Sequence, residues 1–322
     1  MTKKTQLPKQ NDAYWEKRIA KEREYMEQAT DVSDLEKYYQ QAIDDIQEKI
    51  DAEYARLDHL GFEVTDVKQV DIRNYEREAA EVVRLADRIR KKLKRNARKS
   101  DYPQAVNDRM TVYNATMRIN RLEYLKSRTA LSLLKAGVQL NDALTTELIE
   151  KGMNEYKRQA GILGQNLSDV DLKKNLNHVL AQVKSADFSK RIWENTDNLK
   201  AELDVLLTEN RIMGQNPKVI AKRLRGLVAS GFADQAKYVT ERLARTETTR
   251  SIISAQLDSY KQSGFTRVKW IAESNACGLC KDLSRGGKNR DGVYEINNAP
   301  SIPAHPNCRC SFISYYDASE DM

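Results

Sequence analysis

Four cysteines and one histidine carry most of the chemistry this chain can offer, and they fall in its last quarter. Cys277-Gly-Leu-Cys280 is followed by His305-Pro-Asn-Cys308-Arg-Cys310, and these are all the cysteines of the 322-residue sequence. Two thiols separated by two residues can be aimed at one point by a tight turn, whose strained geometry Gly278 is expected to permit. Cys308 and Cys310 are two apart, so on an extended backbone both sulfurs face the same way. Thiolates together with an imidazole are the donor set that a tetrahedral Zn2+ prefers. Five donors compete for four positions. Either Cys277, Cys280 and His305 are joined by one of Cys308 and Cys310, or the four cysteines close the site and leave His305 outside. A site filled by protein ligands alone is structural, so the expected ion holds a small module together. Glu273 and Asp282 are near enough in sequence to act as bases, but three or more sulfurs make a poor hydrolytic centre. His59 and His178 have no cysteine or acid cluster at ligand spacing and read as surface or capping residues.

The elements that must position these donors are mostly helical. Past Gly264 the sequence alternates with period two, and Val268, Trp270 and Ala272 share one face of a strand feeding into Cys277. The segment from Cys280 to His305 is polar and turn-forming. Upstream, Ala236–Tyr260 reads as one helix carrying Arg245-Thr-Glu247-Thr-Thr-Arg250. Glu247 and Arg250 are three apart and can face each other, whereas Arg245 and Glu247 cannot. A catalytic role for Glu247 competes with a plainer one, in which a local arginine or neighbouring backbone donors satisfy the carboxylate.

Towards the N-terminus, Ser33-Asp-Leu-Glu36 forms a capping box ahead of a stripe of Leu35, Tyr39, Ala42, Ile46, Ile50 and Tyr54. The next stripe holds Tyr75, Ala79, Val82, Ala86 and Ile89, and opposite it Arg84, Arg88, Lys91, Arg95 and Arg98 recur at spacings of three and four. Such a face is either simply solvated or meets an anion, with double-stranded DNA phosphate or an acidic protein surface as candidates. A further helix is expected to end at Gly137, a short one to begin at Asn141, and the glycines at 152, 161 and 164 to make residues 152–168 a hinge. Ser168-Asp-Val-Asp171 is again cap-like.

The chain has 31% charged residues but only 13 Gly and 6 Pro, a balance that favours solvated helices over a β-rich fold. Its 54 basic against 47 acidic residues give a formal +7, compatible with a polyanionic partner. No apolar run reaches the roughly 18 residues of a membrane span, and the first residues lack the apolar stretch of a secretory signal. A reducing cytoplasm is therefore expected, where paired cysteines are metal ligands more often than disulfides. The expected fold is mainly α, with elongated helical N-terminal and middle regions and a small C-terminal α+β zinc-binding module. The division follows the chain: a loose N-terminus at 1–12, a helical region at 13–160, a helical middle at 161–262 and the metal-binding module at 263–322.

The C-terminal half, from about residue 185 to 316, resembles the phage Mu F-like minor head proteins, or head morphogenesis proteins of tailed bacteriophages. Phe188-Ser-Lys-Arg-Ile-Trp193, the Arg245–Arg250 cluster with Glu247, Trp270 ahead of Cys277 and Cys280, and the His305–Cys310 run carry the likeness. The segment Ser284-Arg-Gly-Gly-Lys-Asn-Arg departs from it, being longer and more basic. The resemblance implies a minor virion protein inside the procapsid near the portal, made in the host cytoplasm and needed for head assembly; the expected function is that of a minor capsid protein without catalysis that contacts the portal or capsid interior and DNA. Some relatives bind DNA or leave the capsid with the genome. A rival expectation is a toxin-like enzyme, a nuclease or ADP-ribosyl transferase, using Glu247; another is a free DNA-binding regulator.

Overall fold

The computed structural model describes residues 12–60, 69–92, 106, 108, 109, 113, 121–185, 187–209 and 217–315. Helix dominates. The main helices are α1 (Asp12–Ala29), α2 (Glu36–Leu60), α3 (Gln69–Lys92), α4 (Arg121–Ile162), α5 (Asp169–Ser185), α6 (Phe188–Glu209), α7 (Pro217–Leu227) and α8 (Ala233–Gln262). Beyond α8 come strand β1 (Arg267–Ile271), the short helix α9 (Gly278–Leu283), β2 (Val293–Glu295) and β3 (Ser311–Tyr315). The strands form one antiparallel sheet in the order β2-β1-β3. This is the mainly α fold with a small C-terminal α+β module that the sequence predicts. Among the described residues, no helix is long and apolar enough to cross a membrane.

The residues form two compact units, and these are not consecutive stretches. One comprises Met1–Val32, Thr146–Ala186 and Arg242–Met322; the other comprises Ser33–Thr145 and Asp187–Glu241. This differs from the expected cuts at 160 and 262, because α4 and α8 each supply residues to both units. The expected break at Gly137 and hinge from Gly152 also give way to continuous helix. The glycines are there for close approach. A Cβ on Gly137 would stand 2.9 Å from Thr196 Oγ1 and 3.1 Å from the Trp193 ring, and one on Gly152 would stand 2.9 Å from Ser251 Oγ. Only Gly164, with φ +66°, breaks the helical path as expected. Downstream, Ser168 and Asp171 cap α5 reciprocally, with Asp171 N–H donating to Ser168 Oγ (3.2 Å) and Ser168 N–H to Asp171 Oδ2 (3.0 Å).

In the unit without the metal-binding module, the two predicted stripes are buried from Leu35 to Tyr54 and from Tyr75 to Ile89. The second packs with Leu131, Leu134, Val138 and Trp193 in one core. Phe188, Ile192 and Trp193 are thus core residues of α6. Inside this unit Arg121 is bound by the buried carboxylates of Glu53 and Asp71.

The unit that carries the cysteines has its own core. Met26 and Ala29 of α1, Ile252, Ile253 and Tyr260 of α8, and Val268, Trp270 and Phe312 of the sheet are buried together. Trp270 and Phe312 are direct cross-strand partners, with their rings edge-to-face at 5.5 Å. Beside them lies a buried polar knot. Arg158 donates two hydrogen bonds to Glu22 (2.9 and 2.8 Å) and two to Glu155 (both 2.8 Å). Gln256 Nε2 (2.6 Å) and Ser311 Oγ (2.8 Å) also donate to Glu22, so one carboxylate of α1 ties α4, α8 and β3 together. Arg23 of α1 adds a bond to the Ala272 carbonyl (2.8 Å).

Candidate metal centre

The sheet and α9 bring the five expected donors into one place. Cys277 immediately precedes α9, and Cys280 lies inside it with its sulfur turned into the core. Gly278 opens this helix with no positive φ and open space where a Cβ would be, so the strained turn expected of it is not needed; a helical turn brings the sulfurs round instead. His305 Nε2 is 3.3 Å from Cys277 Sγ and 3.2 Å from Cys280 Sγ, and Cys280 Sγ is 3.8 Å from Cys308 Sγ. The donor atoms of Cys277, Cys280 and His305 lie within 4.8 Å of one another, as do those of Cys280, Cys308 and Cys310. The cysteines are free, and a sulfur separation of 3.8 Å is far beyond a disulfide bond. Such a cluster can hold a metal ion.

The ring of His305 is oriented for this. Its Nδ1 lies 2.8 Å from the Pro306 carbonyl oxygen, which can only accept, so the proton sits on Nδ1 and Nε2 keeps its lone pair for the cluster. Protons on the sulfurs are unevenly shared. The hydrogen bond from Cys310 holds the Cys308 thiol down to about 5, and that same bond together with burial pushes Cys310 up. Burial pushes Cys280 up to about 12, whereas the backbone N–H of Cys280 lowers Cys277. For His305, burial opposes the charged ring, but the Pro306 carbonyl and the neighbouring sulfurs outweigh it and raise its pKa. A metal must displace the remaining thiol protons, so its binding weakens as pH falls.

The Arg245–Arg250 cluster is the support of the ligand loop. Asn307 stands at φ 67°, and its N–H donates to Thr246 Oγ1 (3.0 Å) while Arg245 donates to its Oδ1 (3.2 Å). Next to it, Thr249 Oγ1 donates to the Cys308 carbonyl (2.9 Å). Glu247 is only 2% exposed and accepts from Arg250 (2.5 Å), which is the plainer of its two expected roles. The sequence pattern places Thr246 on the inward face of this helix but gives neither Thr246 nor Thr249 a role in holding the loop. Thr246 and Thr249 are three apart on α8, a spacing that could have flagged one helical face.

No protein-family model matches this chain, and no curated protein or solved structure is similar to it.

Trp270 is buried beneath the cluster as a core residue of β1. His178 is neither a surface residue nor a cap: its Nε2 is 3.0 Å from Ser254 Oγ and its ring meets Tyr156 edge-on, half-buried between helices. The side chain of His59 lies outside the described residues. Of the basic set, Arg84 and Arg88 are exposed on α3 and share a surface recess with Glu81, Asp87 and Lys135, so this part of the face is of mixed sign. The Lys91 side chain, Arg95 and Arg98 lie outside the described residues.

Proposed function

We propose that this chain is a minor head protein of the phage Mu F-like group, acting without catalysis inside the procapsid, against the portal or the capsid interior. The observation that carries the reading is the joining of its separate motif pieces: the Arg245–Arg250 helix holds the His305–Cys310 loop by direct hydrogen bonds, and that loop meets Cys277 and Cys280. A fold that spends its most specific residues on a closed module, and not on an open cleft, suits a docking part better than an enzyme. Burial and ion-pairing of Glu247 support the same view.

The ion we assign is Zn2+, held by Cys277, Cys280, His305 and Cys308. Support comes from the short contacts of His305 with both knuckle sulfurs, which favour a set containing the imidazole, and from the 3.8 Å approach of Cys308 to Cys280. Cys310 then serves beside the site as hydrogen-bond donor to Cys308. Such an ion supplies cohesion and no reactive water. DNA contact through the Arg84 face of α3 belongs to the same reading, the phosphates relieving its positive charge.

Incorporation into particles tests this. When the chain is made together with the head proteins of a tailed phage, mass spectrometry of purified heads is expected to find the wild type and to miss the Cys277→Ser/Cys280→Ser variant. Heads lacking the wild-type chain would overturn the assignment, as would nuclease or ADP-ribosyl transfer activity lost on Glu247→Ala. For the ligand set, metal analysis is expected to find zinc retained in Cys310→Ser and lost in Cys308→Ser.

A further inference from the structure

The segment between α9 and β2 has a fixed backbone and unused side chains. Gly286 N–H donates to the Leu283 carbonyl (3.1 Å), Arg290 N–H to Gly287 (3.3 Å) and Gly292 N–H to Gly286 (2.9 Å), while Gly287 bridges to Val293. Tyr294 Oη donates to the Leu283 carbonyl (2.7 Å) and locks the base of the loop. Glycine is obligatory in two of these places. Gly287 (φ +82°) and Gly292 (φ +78°) are left-handed, and a Cβ would stand 2.1 Å from the Val293 carbonyl oxygen in the first case and 2.4 Å from that of Ser284 in the second. Yet Lys281, at the end of α9, and Arg285, Lys288 and Arg290 of this segment are all exposed and have no ion pair or side-chain hydrogen bond among the described residues.

We propose that this loop is a phosphate-binding surface for duplex DNA. Long basic side chains set on an ordered backbone lose less freedom on binding than they would on a slack loop. Two guanidinium groups among the four offer bidentate donors that suit phosphate oxygens. The acids of this stretch do not cancel them, since Asp282 and Asp291 set two carboxylates against four cations; Asp291 is turned back to the Val293 N–H (3.0 Å). A protein partner fits less well. Protein interfaces have an apolar centre, and the large apolar side chain exposed here is Leu279 alone, at 51%. Phosphate contact needs only the charge. The surface is distinct from the α3 face, and its test uses no capsid component.

The test compares two variants of the full zinc-loaded chain with the same loss of charge. One is Lys281→Ser/Arg285→Ser/Lys288→Ser/Arg290→Asn, asparagine being chosen because position 290 has φ 58°. The control removes four exposed lysines of the same unit, Lys157, Lys173, Lys174 and Lys261, to serine. Fluorescence anisotropy with a random-sequence duplex at several salt concentrations gives the slope of log affinity against log salt. The loop variant is expected to lower that slope by about 3.6, near 0.9 for each of four phosphate contacts, and the control by less than about 1. Equal slopes for both variants, or a wild-type slope in the loop variant, would overturn the proposal. So would unchanged DNA binding with lost binding to polyglutamate, which would mark an acidic protein as partner. Should the fourfold variant lose zinc, Lys288→Glu alone decides: a slope unchanged from wild type refutes the surface.

Discussion

Thr248 and Thr249 are neighbours on α8, both buried, and the same change to valine should act on them in opposite ways. Thr249 Oγ1 donates to the carbonyl of Cys308 at 2.9 Å, while Thr248 Oγ1 finds no hydrogen-bond partner among the described residues. Valine keeps the shape of threonine, so each substitution removes a hydroxyl without opening a cavity. At 249 it strands the carbonyl of a fully buried residue, which costs about 1–3 kcal/mol. At 248 it removes a hydroxyl that was buried without compensation, which is neutral or stabilising by up to about 1 kcal/mol. Cys308 belongs to the donor cluster, so where the loop orders only on binding metal, the loss at 249 falls on metal affinity, roughly 5- to 150-fold. Where the loop is ordered beforehand, the loss falls on the metal-free chain. Competition with a chromogenic chelator at fixed pH reads the first quantity, and urea unfolding of the zinc-loaded and metal-free chains reads the second. Matching behaviour of the two variants in both assays would refute the view that α8 holds the ligand loop through Thr249.

Gly137→Ala should destabilise by about 1–3 kcal/mol through the clash with Thr196 and Trp193, whereas Gly161→Ala on the same helix, with open space at its Cβ, should stabilise by up to about 1 kcal/mol; thermal melts separate the signs. Arg158→Met leaves Glu22 and Glu155 buried without their cation and should cost about 3–5 kcal/mol in urea unfolding; a loss below about 1 kcal/mol would make the knot no stronger than a surface pair. Burial works against the Asp45 carboxylate, but the Lys49 ammonium at 2.8 Å and the Ser132 hydroxyl outweigh it and hold its pKa below the usual value. That depression adds stability above about pH 4, lost as pH falls through the folded value; because the side chain is 45% exposed the amount is under about 1 kcal/mol, and Asp45→Asn should flatten the acid limb of the stability curve. On chelation, hydrogen exchange should speed up at residues 277–284 and 303–310 while Trp270 and Phe312 stay protected by the core they share with α1 and α8; simultaneous loss across 265–315 would contradict this.

Local pattern was legible where one short-range rule governed it. The stripes of α2 and α3, the Ser168 cap, the period-two strand and the convergence of five donors all follow from spacing within a few residues or from the chemistry of sulfur. Glycine misled, because it serves two purposes that composition cannot separate. At Gly137 and Gly152 it admits a neighbouring side chain inside a continuous helix, while at Gly164 it does supply a left-handed turn. The role of Glu22 was invisible for another reason: it depends on Arg158, Gln256 and Ser311, which are remote in sequence and show no mutual spacing. Which side of the Arg245–Arg250 cluster mattered was hidden likewise, since Thr246 and Thr249 act on backbone atoms of a distant loop.

The make-up of the cysteine-bearing unit has a physical cause. Residues 263–315 contain three short strands, one short α-helix and a single 3-10 turn (Ile296–Asn298), too little to bury a core by themselves. Metal ligands can fix the loops, but they bury too little apolar surface to make a core. The sheet needs further apolar partners, and Met26 provides one from the distant α1, Ile252 and Tyr260 others from the preceding α8, in the same core as the buried cysteines. Docking two helices on a sheet by apolar contact alone would leave their registers loosely set. The buried carboxylate of Glu22 removes that freedom, because its oxygens are satisfied only when Arg158, Gln256 and Ser311 all reach it at once. The metal cluster and the Glu22 knot are therefore complementary: one orders the loops that carry ligands, and the other sets the helices on which those loops rest.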